Sequence, residues 1–185
     1  SFKSLFDRSE QRCMEILPPG FDKGGTRDLA IGLHGHGADS TQFALDPRPE
    51  CAAFREFAAR HGMIALAPDY RAKTSWMGPA AEADVAQIIR EARAAREIGR
   101  VFLIGGSMGG ASALTFAALH PEMVDGVTAL NGLANHLEYE NFQDFIAESF
   151  GGPKDKIPEE YRRRSAEFHP EKLVMPTALT VSGDD

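Results

Sequence analysis

Short apolar runs alternate with amphipathic stretches along most of this chain. The runs are residues 28–35 (DLAIGLHG), 63–70 (MIALAPDY), 100–106 (RVFLIGG), 124–132 (VDGVTALNG) and the stretch from Pro176 (PTALTVSGDD). Each has strand length and turn residues at its edge, so five strands are predicted. Residues 100–106 lack alternation, which predicts a strand buried on both faces.

The stretches between them read as helices. Residues 50–61 carry Phe54, Phe57 and Ala58 at helical spacing, and Gly62 follows as a stop. A second helix opens at Pro79 with Val85, Ile88, Ile89 and Ala92 on one face. Arg90, Arg93 and Arg96 lie toward its C-terminal end, where the helix dipole favours cations, and Gly99 is its expected end. A third covers residues 108–120, with Pro121 after it. Strand and helix in alternation predict the α/β class: a mostly parallel sheet with helices on both faces.

Between Gly132 and Met175 the rhythm breaks into polar and aromatic sequence. Residues 133–175 are expected to form a cap-like insertion of short helices, too short for a core of its own. Residues 1–185 are then one domain.

Composition narrows the function classes. Hydrophobic residues make up 43% and charged residues 25%, ordinary for a globular protein. The net charge of −7 argues against a nucleic-acid partner, which would need a basic face. The triplet Arg162, Arg163, Arg164 is expected to be a solvated helix face among Glu159, Glu160 and Glu167. No apolar run is long enough to predict a membrane span. No signal-peptide core is visible, which favours a cytoplasmic location. Cys13 and Cys51 make no disulfide framework and no metal spacing.

The strongest chemical signal is Gly105-Gly106-Ser107-Met108-Gly109-Gly110. It fits G-x-S-x-G between a strand and a helix. Such a turn must be tight, with the serine at a strained φ/ψ and no room for side chains two positions away on either side. It lifts the hydroxyl to a helix N-terminus, where negative charge can develop. No Lys follows the glycines, so a phosphate loop is disfavoured.

The second signal is Leu33-His34-Gly35-His36-Gly37. A backbone N–H from this turn could join that of Met108 to hold an oxyanion. The two histidines need not converge, so no metal is assigned, and His34 is expected below the site.

With these residues the chain resembles the α/β-hydrolase superfamily, in its small esterase and carboxylesterase branch. The motifs are LHGHGAD (33–39), APDYR (67–71), GGSMGG (105–110) and SGDD (182–185). The resemblance implies Ser107 as nucleophile, the amides of His36 and Met108 as oxyanion hole, and Asp185 rather than Asp184 as the orienting carboxylate. It implies no metal or cofactor.

In that family the triad histidine follows the aspartate. His34, His36, His61, His120, His136 and His169 all precede Asp185. His61 and His120 have a sufficient role at helix C-termini, and His136 lies in the insertion. The triad histidine, a last strand and a last helix are therefore expected in roughly 50 further residues. The 185 residues alone are expected to be inactive on esters.

Tyr70, Arg71, Trp76 and Met77 follow a strand end, on the side where such sheets bind ligands, and Tyr70 and Trp76 are expected to contact substrate. Asn135, Glu138 and Tyr139 could also approach it, although a solvated helix start explains them. The expected reaction is hydrolysis of a small-molecule or carbohydrate ester through an acyl-enzyme. A serine peptidase or amidase, or a non-catalytic binding protein on this scaffold, are the alternatives.

Overall fold

In β4 (Arg27–Leu33), side chains alternate between two apolar clusters. Leu29, Ile31 and Leu33 enter one and Ala30 the other, as the two-residue period of a strand requires. The computed structural model describes residues 1–22 and 24–182. Around β4 lie β3 (Cys13–Ile16), β5 (Ile64–Pro68), β6 (Ile98–Gly106), β7 (Gly126–Leu130) and β8 (Thr177–Thr180). Their order is β3-β5-β4-β6-β7-β8. Every pairing is parallel except β3 with β5. Two short strands, β1 (Phe2–Lys3) and β2 (Glu10–Gln11), pair separately.

Parallel pairing brings the C-terminal ends of β4 to β8 to one rim, where open α/β sheets bind ligands. Helices α1 (Thr41–Leu45) and α2 (Pro49–Arg60) supply Phe43, Cys51, Phe54 and Ala58 to the cluster on one face. Gly32 lets α1 approach: a Cβ there would stand 2.6 Å from the Phe43 ring. On the other face, α3 (Pro79–Ala95) and α4 (Met108–Leu119) pack Val85, Ile89, Ala113 and Phe116. After β7 come α5 (Gln143–Phe150), α6 (Pro158–Arg164) and 3-10 turns at Ala166–Phe168 and Pro170–Lys172.

Three expectations change, and short elements at the N-terminus are added. Helix α3 ends at Ala95, and Gly99 lies inside β6, where a Cβ would press on Asp28. Strand β6 does alternate. Val101 and Leu103 are fully buried, whereas Phe102 and Ile104 are half-buried on the less covered face. The N-terminal strands and α1 were not predicted.

The arginine triplet is not uniformly solvated: Arg164 is buried. Its Nη1 donates to the Met77 carbonyl at 2.7 Å, Nε to Glu160 at 2.6 Å and Nη2 to Glu82 at 2.8 Å. A buried guanidinium is tolerable when its donors are satisfied in this way. Burial alone would raise the Glu82 pKa. The hydrogen bond with His120 and the charges of Arg164 and Arg163 outweigh it and hold the carboxyl at about 2. Among the described residues, no helix is long and apolar enough to cross a membrane.

Candidate active site

Ser107 stands between β6 and α4 with φ 54° and ψ −122°. Its N–H donates to the Leu130 carbonyl at 2.8 Å, tying the turn to β7. The glycines make this turn possible. A Cβ on Gly105 would collide with the Gly109 carbonyl, and one on Gly109 with the Leu33 carbonyl. Ser107 has a positive φ that side chains rarely adopt, and it is exposed at the helix N-terminus.

A cleft of 760 Å³ opens over this serine, lined by Gly35, His36, Ser107, Asn131, Phe142 and Thr180 among others. Arg48 and Glu50 also line it.

The turn after β4 forms one wall, and three contacts fix it. The Gly35 N–H donates to Gln42 Oε1 at 2.7 Å, and the Gly37 N–H to the Lys73 carbonyl at 2.8 Å. From below, the Tyr70 hydroxyl donates to the His34 carbonyl at 2.6 Å. Gly37 has φ 82°, so glycine suits this position. Among the described residues, neither the His36 nor the Met108 N–H donates to a backbone carbonyl.

The histidines have separate placements. His34 is buried, with Nδ1 2.9 Å from the Gly35 carbonyl and Nε2 3.0 Å from the Asp69 carbonyl. His36 accepts from Trp76 Nε1 at 3.3 Å through Nδ1. Partial burial lowers its pKa and favours the neutral ring. His61 caps the C-terminus of α2 and packs against Phe57. His120 lies 3.0 Å from Glu82. His136 is buried, 3.3 Å from Thr115. Among the described residues, no histidine is hydrogen-bonded to Ser107. Asp185, the expected orienting carboxylate, lies outside the described residues, as does Asp184.

Tyr70 and Trp76, the two residues expected to contact substrate, are both buried behind the turn. Tyr70 is 1% exposed, with its hydroxyl committed to the turn. Trp76 is 2% exposed and meets the cleft wall through His36. Both have positive φ, as do Arg71 and Met77, so this loop is a strained support for the turn. Arg71 is held by the buried Asp84 at 2.8 Å. Residues that sequence reasoning missed include Gln42, Asn131, Phe142 and Phe145. For Asn131 a signal existed: Asn-Gly after a strand marks a tight turn, and its φ is 49°.

A family model described as alpha/beta hydrolase fold matches residues 15–182. The chain belongs to this family. Solved structures share the α/β-hydrolase architecture at low identity. FphF, a fluorophosphonate-binding serine hydrolase of Staphylococcus aureus, aligns at TM-score 0.74 and 16% identity, over 96% of this chain and 75% of that one. An S-formylglutathione hydrolase from Agrobacterium tumefaciens aligns at TM-score 0.71 and 14% identity, over 98% and 83%. A dipeptidyl aminopeptidase IV candidate from Bacteroides ovatus aligns at TM-score 0.77 and 16% identity, over 96% of this chain but 26% of that one. This α/β-hydrolase chain thus spans about a quarter of the length of that last protein. No curated protein matches it.

Proposed function

We propose that this α/β-hydrolase chain belongs to a serine hydrolase that cleaves carboxylic esters, with Ser107 as the nucleophile. The observation that carries the reading is the strained, exposed Ser107 at the N-terminus of α4 on the cleft wall.

The Ser107 oxygen attacks the ester carbonyl while a base takes its proton. Negative charge then collects on the carbonyl oxygen. The His36 and Met108 amides are the donors for it, and the turn that carries His36 is held by Gln42, Lys73 and Tyr70. The proton passes to the leaving alcohol, and water releases the acid and restores the serine. The base in this reading is a histidine oriented by Asp185.

The test is turnover of p-nitrophenyl acetate by the full-length protein beside its Ser107→Ala variant. Saturable hydrolysis that falls at least about a thousandfold in the variant supports the reading. Equal rates in both proteins would dismiss it. A peptide anilide cleaved faster than the ester would move the assignment to an amidase.

A further inference from the structure

Aromatic rings gather at the cleft on the side of α5. The His36 imidazole lies 4.4 Å from the Phe142 ring and 4.8 Å from the Phe145 ring, centroid to centroid. Trp76 backs this group, 6.0 Å from His36 and 5.7 Å from Phe142. The pairs are tilted or edge-on, which suits aromatic association.

Two features separate the outer rings from ordinary packing. Phe142 and Phe145 remain 43% and 41% exposed, although they lie in a polar stretch with Asn141, Gln143 and Asp144. Burial therefore does not account for their apolar surface. Phe142 also has φ 56° and ψ 22°, the left-handed region that a bulky residue rarely occupies. Phe142 lines the cleft with Ser107, and Phe145 meets the cleft-lining His36 ring. Strain of this kind persists where the surroundings impose it, and it concentrates at ligand sites. The His36 ring, held by the Trp76 Nε1 donor, presents a flat face beside them.

We propose that Phe142, Phe145 and the His36 imidazole form a shelf for the planar aromatic group of the ester. Substrates with an aryl or arylalkenyl group are then preferred to aliphatic esters of similar size. The inference rests on the hydrolase reading for its substrate, but the shelf itself is a binding property. His36 joins the two, since its ring is part of the shelf and its backbone lies in the proposed oxyanion turn.

The test is calorimetric binding of cinnamate and octanoate to the full-length protein and to a Phe142→Leu/Phe145→Leu variant, which keeps apolar bulk and removes the rings. Cinnamate is expected to bind about tenfold tighter than octanoate, the size that two aromatic contacts give. The ratio should fall toward one in the variant. No preference in the parent protein, or an unchanged preference in the variant, overturns the shelf. Turnover of methyl cinnamate and methyl octanoate by the same preparations separates the two proposals. Ring-dependent binding without turnover leaves the shelf standing and retires ester hydrolysis. Turnover with equal binding retires the shelf alone.

Discussion

The Tyr70 hydroxyl donates to the His34 carbonyl at 2.6 Å, so a fully buried side chain props the proposed oxyanion turn from beneath. Tyr70→Phe would leave that acceptor without its partner. A stability loss of about 1–3 kcal/mol is expected. A small displacement of the His36 amide should also lower kcat by roughly tenfold or more, with KM little changed. Denaturant unfolding and steady-state kinetics on the same preparation check this. Unchanged kcat would remove Tyr70 from the positioning of the turn.

The strain at Ser107 can be read by comparing two inactive variants. Ser107→Ala and Ser107→Gly both lose the hydroxyl, but only glycine accepts φ 54° and ψ −122° without penalty. The glycine variant is expected to be the more stable by about 1 kcal/mol. Thermal melts of the pair decide it, and a more stable alanine variant would show that the turn is not strained.

Gly109→Ala tests the closeness of the Ser107 turn to β4. The new methyl would meet the Leu33 carbonyl and stand 2.8 Å from that of His34. Overpacking of about 1–3 kcal/mol is expected, with a fall in ester turnover of at least roughly a hundredfold. Near-normal turnover would mean that the two turns are free to separate.

His136 predicts a pH dependence of stability. Thr115 Oγ1 donates to the Arg164 carbonyl at 2.7 Å, so His136 Nε2, 3.3 Å away, is the donor in their contact. Nδ1 is buried and unpaired among the described residues. Burial, then the charge of Arg164, push the pKa down from 6.5 to about 3. The unfolded chain therefore binds this proton more tightly than the folded one. The stabilising effect of the neutral ring is complete above about pH 6.5 and is lost progressively as pH falls toward 3. The slope is at most about 1.4 kcal/mol per pH unit for one proton. Melting from pH 7 to pH 5 should show it in the parent protein, and His136→Gln should flatten it. An identical slope in both would assign the acid sensitivity elsewhere.

Arg164 should be among the costliest side chains to remove. Arg164→Leu strands Glu82 beside one fewer cation and frees the Met77 carbonyl. A loss of about 3–5 kcal/mol is expected from breaking a buried pair. Urea unfolding measures it, and a loss below about 1 kcal/mol would mean that the network is replaceable.

Most of the sheet was legible because its strands are continuous apolar runs and its helices keep a 3.6-residue period. Val85, Ile88, Ile89 and Ala92 alone place α3 against the core. Strands β1 and β2 have two residues each, and α1 has five, too few for any period to show. Arg164 misled because its partner Glu82 stands 82 positions away, where no local charge pattern reaches. Ser107 was legible because its turn is encoded locally by glycines. The burial of Tyr70 was not legible for the opposite reason: a loop after a strand end reads the same whether its side chain points up to the cleft or down to the turn. Phe142 and Phe145 carried only a weak signal, two apolar rings three apart in a polar stretch.

The central claim is that Ser107 is an activated nucleophile. The most direct measurement is fluorophosphonate labelling of the full-length protein, followed by mass spectrometry of the peptide containing Ser107. A single phosphonyl adduct on Ser107, absent from Ser107→Ala and from heat-unfolded protein, is the predicted result. A folded protein that takes no label at Ser107, or takes it elsewhere to the same extent, would contradict the account.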